Sequence, residues 1–133
     1  MDGQGPGIVR ATAATVLVVE DHPWFREIVA TSLVQGGFDV REAASAPAAL
    51  ALLAGTAVDL VVTDVEMPGE LDGVDLANWL GATRPGLPVI MMSGHPDADS
   101  VAATLAVPRP LLRKPFAMAR LLAAVRERLP AHG

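Results

Sequence analysis

Short apolar runs recur along the chain, and a longer segment with helically spaced apolar positions follows each of them. The clearest runs cover residues 16–19 and 58–63, and each stops abruptly at an acidic residue. Strands that are buried on both faces end in this way where they reach a polar sheet edge. Weaker runs cover 38–42, 88–92 and 111–113. The pattern therefore predicts five β-strands.

The segments between these runs predict five α-helices, over about 23–35, 46–54, 74–80, 97–105 and 116–129. Pro23 stands where the first helix begins, and Gly36-Gly37 follow its last apolar position. Pro108 and Pro110 constrain the chain before the last strand, so the fourth helix is expected to be short or irregular. Regular alternation of strands and helices predicts an α/β fold, an open parallel sheet with right-handed crossovers and helices on both faces.

Length and composition indicate one globular domain of 133 residues, 51% of them hydrophobic and 19% charged. We expect the domain to span 15–130, between flexible tails at 1–14 and 131–133. The net charge of −5 argues against direct nucleic-acid binding, and the absence of cysteine excludes disulfides and thiolate metal sites. No apolar stretch is long enough to cross a membrane, and residues 1–15 do not form a secretory signal. We therefore expect a cytoplasmic protein without membrane contact.

Polar residues stand at the predicted carboxyl ends of four strands. They are Glu20-Asp21, Asp64, Ser93 and Lys114, the only lysine in the chain. In open parallel sheets the working site lies just beyond these strand ends, where the strand order changes direction. The sequence therefore brings three acids, a hydroxyl and an ammonium to one edge of the sheet.

Three clustered carboxylates repel one another unless a cation offsets their charge. Mg²⁺ fits oxygen ligands, and Mn²⁺ would also fit, whereas Zn²⁺ is disfavoured without cysteines or paired histidines. An aspartate beside such a metal can act as a nucleophile toward phosphorus and form an aspartyl phosphate. The charge on the three phosphoryl oxygens could then be met by the metal, by Lys114 and by the Ser93 hydroxyl.

The combination of motifs resembles the receiver domain of two-component response regulators, of the single-domain, chemotaxis-regulator-like kind. The resemblance rests on Glu20-Asp21, on Asp64 within Val-Thr-Asp-Val-Glu-Met-Pro-Gly, on Ser93 and on Lys114-Pro115-Phe116. It covers about residues 15–130. It implies a flavodoxin-like (βα)5 fold, a doubly wound five-stranded parallel sheet with strand order 2-1-3-4-5.

The resemblance also implies a role for each motif residue. Asp64 would be the phosphoacceptor, Ser93 the switch hydroxyl and Lys114 the ion-pair partner of the phosphoryl group. The implied metal ligands are Glu20, Asp21, Asp64 and the backbone carbonyl of Glu66. A sensor histidine kinase or a histidine phosphotransfer protein would supply the phosphoryl group. A downstream protein would bind the face formed by the fourth helix, fifth strand and fifth helix.

One departure from the family pattern concerns this output face. Many members carry an aromatic residue on the fifth strand that changes rotamer with the switch hydroxyl, and Leu111 stands at that position here. The chain has no tyrosine at all. The aromatic relay is therefore absent, and the route from phosphorylation to a partner stays open.

Two alternative functions remain. The first is a phosphorylation-independent protein-interaction module with the same fold, for which Leu111 leaves room. The second is a Mg²⁺-dependent phosphohydrolase of the haloacid-dehalogenase type. Enzymes of that type place the nucleophile after the first strand and a second aspartate two residues on, whereas Asp64 follows the third strand and Glu66 is two residues on. We therefore expect no turnover enzyme, although self-catalysed phosphorylation and dephosphorylation are compatible with the site.

The histidines and tryptophans have simpler interpretations. His22 and His95 are expected in loops at the mouth of the site as ordinary polar residues. Trp24 and Trp79 are expected to be partly buried packing residues.

Overall fold

The computed structural model describes residues 13–129. In chain order its elements are β1 (Thr15–Val19), α1 (Pro23–Gln35), β2 (Asp39–Ala43), α2 (Ala46–Gly55), β3 (Leu60–Asp64), α3 (Gly73–Thr83), β4 (Val89–Ser93), α4 (Ala98–Ala102), β5 (Leu111–Arg113) and α5 (Met118–Arg128). The tails expected at 1–14 and 131–133 lie, except for residues 13 and 14, outside the described residues. Ala14 is buried, and its carbonyl accepts a hydrogen bond from the Asp39 N–H at 2.9 Å.

The five strands form one parallel sheet in the order β2-β1-β3-β4-β5, so the predicted fold class and strand order are confirmed. The register aligns the carboxyl ends of β1, β3, β4 and β5, the four strands that carry the motifs. Val19 pairs with Thr63, Asp64 with Met92, and Ser93 with Arg113. Because the strands end level with one another, the residues that follow them meet at a single edge of the sheet.

Alternate strand residues face two separate cores, because successive side chains of a strand point to opposite faces. Leu17, Val61 and Met91 face the core that α2 and α3 cover. Val18 and Val62 face the core that α1 and α5 cover. The central strands β1, β3 and β4 are therefore buried on both faces, which explains why they read as continuous apolar runs.

The loop after β3 is held by local features that fix where Asp64 lies. Asp72 and Asp75 form a reciprocal capping box at the start of α3, with hydrogen bonds of 3.0 Å in each direction. The first residue of α3, Gly73, packs against the end of β3 so closely that a Cβ there would lie 1.8 Å from the Asp64 carbonyl oxygen. Only glycine allows α3 to begin this close to the strand end.

The observed elements differ from the predicted ones mainly at their ends. β2 begins and ends one residue later than predicted, and α5 starts at Met118 rather than at residue 116. Such shifts of one or two residues are usual at element termini. The prediction of a short fourth helix is confirmed, since α4 has five residues. No helix within residues 13–129 is both long enough and apolar enough to cross a membrane.

The prediction for Trp24 was wrong, because this side chain is 73% exposed. Trp24 and Leu33 are nine residues apart in α1, about two and a half helical turns, so they lie on opposite faces of the helix. Leu33 is fully buried in the core. Trp79 is also exposed, at 42%, although it lines a small apolar cavity with Leu50 and Leu71.

Candidate functional site

Four buried residues in the described part of the chain are polar or charged, namely Glu20, Thr63, Asp64 and Ser93. All of them except Thr63 belong to the predicted site. Burying a carboxylate is costly unless it is paired and hydrogen-bonded. Glu20 and Asp64 are therefore buried at the sheet edge at an energetic cost that packing of the apolar core does not explain.

Lys114 connects the ends of three strands. Its Nζ lies 2.9 Å from Oε1 of Glu20, which follows β1, and 3.3 Å from Oδ2 of Asp64, the last residue of β3. Its backbone N–H donates to the Ser93 carbonyl at the end of β4, at 2.7 Å. The structure thus brings together Glu20, Asp64 and Lys114, residues that lie far apart in the sequence.

Two opposing influences act on Lys114. Burial lowers the pKa of its ammonium, but the hydrogen bond to Glu20 and the charge of Asp64 more than offset this effect, so the pKa lies above its usual value. The Nζ also lies 4.6 Å from the centroid of the Phe25 ring. The single lysine is therefore fixed as a full positive charge beside Asp64.

The surroundings of Asp64, in contrast, favour its uncharged form. Burial raises its pKa first of all, the neighbouring charge of Glu20 raises it further, and Lys114 only partly offsets both, so that the pKa reaches about 7. Glu66 adds a smaller repulsion. The site therefore holds more negative charge than one lysine can neutralise, and an additional cation would favour the ionised form of Asp64.

A cluster of possible metal ligands lies beside the ion pair of Lys114 and Asp64. Ligand atoms of Glu20, Asp21 and His22 lie within 4.8 Å of one another. Asp64 is not in that group, but its Oδ1 is buried and has no hydrogen-bond partner among the described residues. Two adjacent carboxylates and an unpartnered carboxylate oxygen suit a hard cation such as Mg²⁺, which takes oxygen ligands and keeps several waters.

No hydrogen bond joins the Ser93 side chain to Asp64 within residues 13–129. Its hydroxyl lies 2.8 Å from both carboxylate oxygens of Glu66, to which it donates, and it accepts the N–H of His95 at 3.0 Å. The sequence assigned Glu66 a metal-binding role through its backbone carbonyl and did not predict this side-chain contact with Ser93. A single sequence carries no signal that pairs this hydroxyl with this carboxylate, because the contact joins the end of β4 to the loop after β3.

Two further contacts at the site were also missed. Arg26 donates from Nη1 to the Glu20 carbonyl at 2.8 Å and from Nε to Glu42 at 3.3 Å, and so ties the acidic turn after β1 to α1 and β2. The Phe25 ring lies under Lys114, as described above. Helical periodicity indicates that Phe25 faces inward, but it does not show which side chain the ring meets.

The site opens to solvent as a cleft of about 380 Å³. Its lining consists of Asp21, His22, Asp64, Glu66, Gly94, His95, Pro96 and Lys114. His22 and His95 are exposed and lie at the mouth, as predicted. A group the size of a phosphoryl fits a cleft of this volume.

The predicted output face has no aromatic residue on β5. Leu111 is only half-buried and pairs in register with Met91 of β4. It packs against the core that α2 and α3 cover, together with Val101 of α4.

Comparison with known proteins places these features in a family. The sequence model of the family described as the response regulator receiver domain matches residues 16–126. The chain is 40% identical over 111 residues to the response regulator protein FleR of Pseudomonas aeruginosa, a match covering 83% of this chain and 23% of FleR. It is 39% identical over 121 residues to the sensor kinase CckA of Brucella abortus, covering 88% of this chain and 13% of CckA.

Solved structures show the same similarity. The receiver domain of NtrX from Brucella abortus superposes with a TM-score of 0.79 at 33% identity, over 86% of this chain and 97% of that one. A response regulator receiver protein from Sinorhizobium medicae gives a TM-score of 0.79 at 31% identity, over 87% and 94% of the two chains. The chain spans only a small part of the curated relatives, less than a quarter of FleR.

Proposed function

This chain belongs to the response regulator receiver family, and we propose that Asp64 is its phosphoacceptor. The single observation that carries the proposal is the buried Asp64 carboxylate at the end of β3, 3.3 Å from the only lysine and with one oxygen unpartnered among residues 13–129. Receiver domains are phospho-accepting switches rather than turnover enzymes, and the described geometry fits that role.

The phosphoryl step follows from the groups present. A carboxylate oxygen of Asp64 attacks the phosphorus of a phosphohistidine that is protonated on its other ring nitrogen, the phosphorus–nitrogen bond breaks, and neutral imidazole leaves with the electron pair of that bond. The Lys114 ammonium lies beside Asp64, where it would meet the charge of one phosphoryl oxygen. Because an ammonium is a compact point charge, it suits a single oxygen better than a guanidinium fork does.

We propose that Mg²⁺, or Mn²⁺ in its place, is held by Glu20, Asp21 and Asp64, with the backbone carbonyl of Glu66 as a further ligand. When bound, the ion would supply the positive charge that the carboxylates and the phosphoryl oxygens require. The support is the donor set: carboxylates within 4.8 Å of one another and the unpartnered Oδ1 of Asp64. Glu20 also accepts from Lys114, so it would link the cation site to the phosphoryl site.

We propose that Ser93 is the switch hydroxyl. In the described state it donates to Glu66 and not toward Asp64. Phosphorylation would add an anion that competes with the Glu66 carboxylate for this hydroxyl. A shift of Ser93 from one acceptor to the other would couple the site to the end of β4, as in a two-state switch whose equilibrium a local charge biases.

The partners follow from the proposed function. A sensor histidine kinase or a histidine phosphotransfer protein would donate the phosphoryl group, and a downstream protein would bind the face of α4, β5 and α5. The names of relatives include the C4-dicarboxylate transport transcriptional regulatory protein DctD and the sensor kinase CckA. Receiver domains thus occur in proteins with different outputs, and Leu111 requires a switch without an aromatic rotamer on β5.

Titration with beryllofluoride and Mg²⁺ tests the proposal, because beryllofluoride on an aspartate imitates a phosphoryl group. We expect a saturable change in the fluorescence of Trp24, which lies three residues after Asp21, and no such change without Mg²⁺. Steady hydrolysis of phosphate monoesters would favour a phosphohydrolase. Absence of any Mg²⁺-dependent response would favour an interaction module that does not accept phosphate.

A further inference from the structure

We propose that Phe25 is a positioning residue that holds the Lys114 ammonium beside Asp64 through the face of its ring. This inference rests on the proposed function, because it concerns how the phosphoryl-binding lysine is oriented. The observation behind it is that the Lys114 ammonium contacts the ring of Phe25 and that this ring contacts the ring of Phe116.

Three groups surround the Lys114 ammonium, one from the turn after β1, one from β3 and one from α1. The carboxylates of Glu20 and Asp64 lie 2.9 Å and 3.3 Å from Nζ. The third group is the ring of Phe25 in α1, whose centroid is 4.6 Å from Nζ. This separation is within the roughly 6 Å at which an aromatic face attracts a cation. The Lys114 side chain is 23% exposed, so the attraction acts in a partly desolvated site.

The ring of Phe25 is itself held in place. It contacts Phe116, two residues after Lys114, with centroids 5.9 Å apart and an interplanar angle of 80°. This is the edge-to-face geometry that aromatic pairs prefer. Both rings pack against the core that α1 and α5 cover. The surface that meets the ammonium is therefore anchored by α1 and by the segment between β5 and α5.

An aromatic face offers something that a third carboxylate would not. A lysine stem has four flexible carbons, so its ammonium needs contacts that restrict it. A carboxylate would restrict the ammonium by neutralising it, and would compete with an arriving phosphoryl group. The ring attracts the ammonium through its quadrupole and carries no net charge, so it holds the ammonium without adding to the neutralisation by Glu20 and Asp64.

Stepwise fluorination of Phe25 tests the electrostatic part of this inference. One, two and three ring fluorines withdraw electron density from the face with little change in size. We measure the dissociation constant of beryllofluoride with saturating Mg²⁺ by tryptophan fluorescence on the full chain. The expected result is an affinity that falls in even logarithmic steps, reaching about twofold to tenfold at three fluorines.

The matched control is the same fluorination at Phe116. That ring contacts Phe25, and no contact with the ammonium is found for it in the described residues. We expect less than a twofold change at Phe116 and no trend with fluorine number. A flat series at Phe25, or an equal trend at both positions, would overturn the proposal.

A double-mutant cycle separates this inference from the proposed function. The unfolding equilibrium is measured for Phe25→Leu, for Lys114→Met and for the double variant, without any phosphoryl analogue. The factor by which Phe25→Leu changes the unfolding equilibrium constant should be about twofold to fivefold smaller in the Lys114→Met background than in wild type. If wild type fails to bind beryllofluoride, the proposed function fails while the cycle still reports the contact. Zero coupling overturns the positioning role whatever the affinity.

Discussion

Removing the Asp64 carboxylate from metal-free protein should raise stability, and should do so more strongly as the pH increases. The perturbation is Asp64→Asn, which keeps the size and shape of the side chain and removes its charge. Asp64 is buried beside Glu20, and its pKa is raised from 3.8 to about 7. The folded state therefore binds a proton at this group more tightly than the unfolded chain does.

The magnitude follows from that difference. Each pKa unit corresponds to about 1.36 kcal/mol, so ionising Asp64 within the fold costs up to about 4 kcal/mol relative to the unfolded chain. Because the folded pKa is raised, the stabilising contribution of the protonated group is fully present below pH 3.8 and is lost as the pH rises through about 7. Between pH 5 and pH 8 the loss amounts to roughly 2.5 kcal/mol. The Asp64 side chain is only 7% exposed, so solvent screens this effect little.

Urea unfolding in the presence of a chelator measures the effect. We expect the free energy of unfolding of Asp64→Asn minus that of wild type to grow by about 2.5 kcal/mol from pH 5 to pH 8. The matched control is Asp39→Asn, an exposed carboxylate on β2. It should give a nearly constant difference. Addition of Mg²⁺ should flatten the wild-type profile, because the cation offsets the charge of the ionised group. A difference that stays constant or shrinks with pH would refute the reasoning.

Three substitutions at the site have distinct expected outcomes. Glu66→Ala removes the acceptor that holds the Ser93 hydroxyl at 2.8 Å, so beryllofluoride should bind about threefold to tenfold more tightly by fluorescence titration. Gly73→Ala places a Cβ 1.8 Å from the Asp64 carbonyl oxygen, and neither backbone can yield easily. It should lower the free energy of unfolding by about 3 kcal/mol or more in urea. Lys114→Arg should weaken beryllofluoride binding by about tenfold, because the larger head group cannot occupy the position of the ammonium.

Each substitution has a control and a result that would contradict it. Glu70→Ala removes an exposed carboxylate on the same loop and should leave the affinity unchanged; an unchanged or weaker affinity in Glu66→Ala argues against the Ser93 contact. Gly86→Ala has no atom within 4 Å of its Cβ and should be nearly neutral; equal stability of the two glycine variants contradicts the close approach of α3. Arg120→Lys makes the reverse substitution at an exposed cation and should leave the affinity unchanged. Full affinity in Lys114→Arg would contradict the need for an ammonium.

The sequence predicted the fold well because its signals are local. The central strands β1, β3 and β4 are buried on both faces and read as continuous apolar runs, and the weaker runs of β2 and β5 complete the alternation with helical segments. The polar residues directly after these runs could be assigned to one sheet edge, because parallel strands bring their carboxyl ends together. The convergence of Glu20, Asp64 and Lys114 follows from that rule alone, and the structure confirms it.

What the sequence did not predict depends on side-chain orientation between elements. The bond between Ser93 and Glu66 and the contact of Phe25 with Lys114 each join elements distant in sequence, so no local pattern encodes them. The exposure of Trp24 is a different case. Its position nine residues before Leu33 in the helical repeat places it on the solvent face, so the periodicity of the sequence contains this signal.

Phosphorylation with acetyl phosphate and Mg²⁺, followed by intact-mass measurement, tests the central claim most directly. Reduction of the acyl phosphate with borohydride then marks the acceptor for peptide mapping. We predict the mass of one phosphoryl group on wild type, a mark on Asp64, and neither in Asp64→Asn or without Mg²⁺. Unmodified wild type under these conditions, or equal modification of Asp64→Asn, would contradict the assignment of Asp64 as the phosphoacceptor.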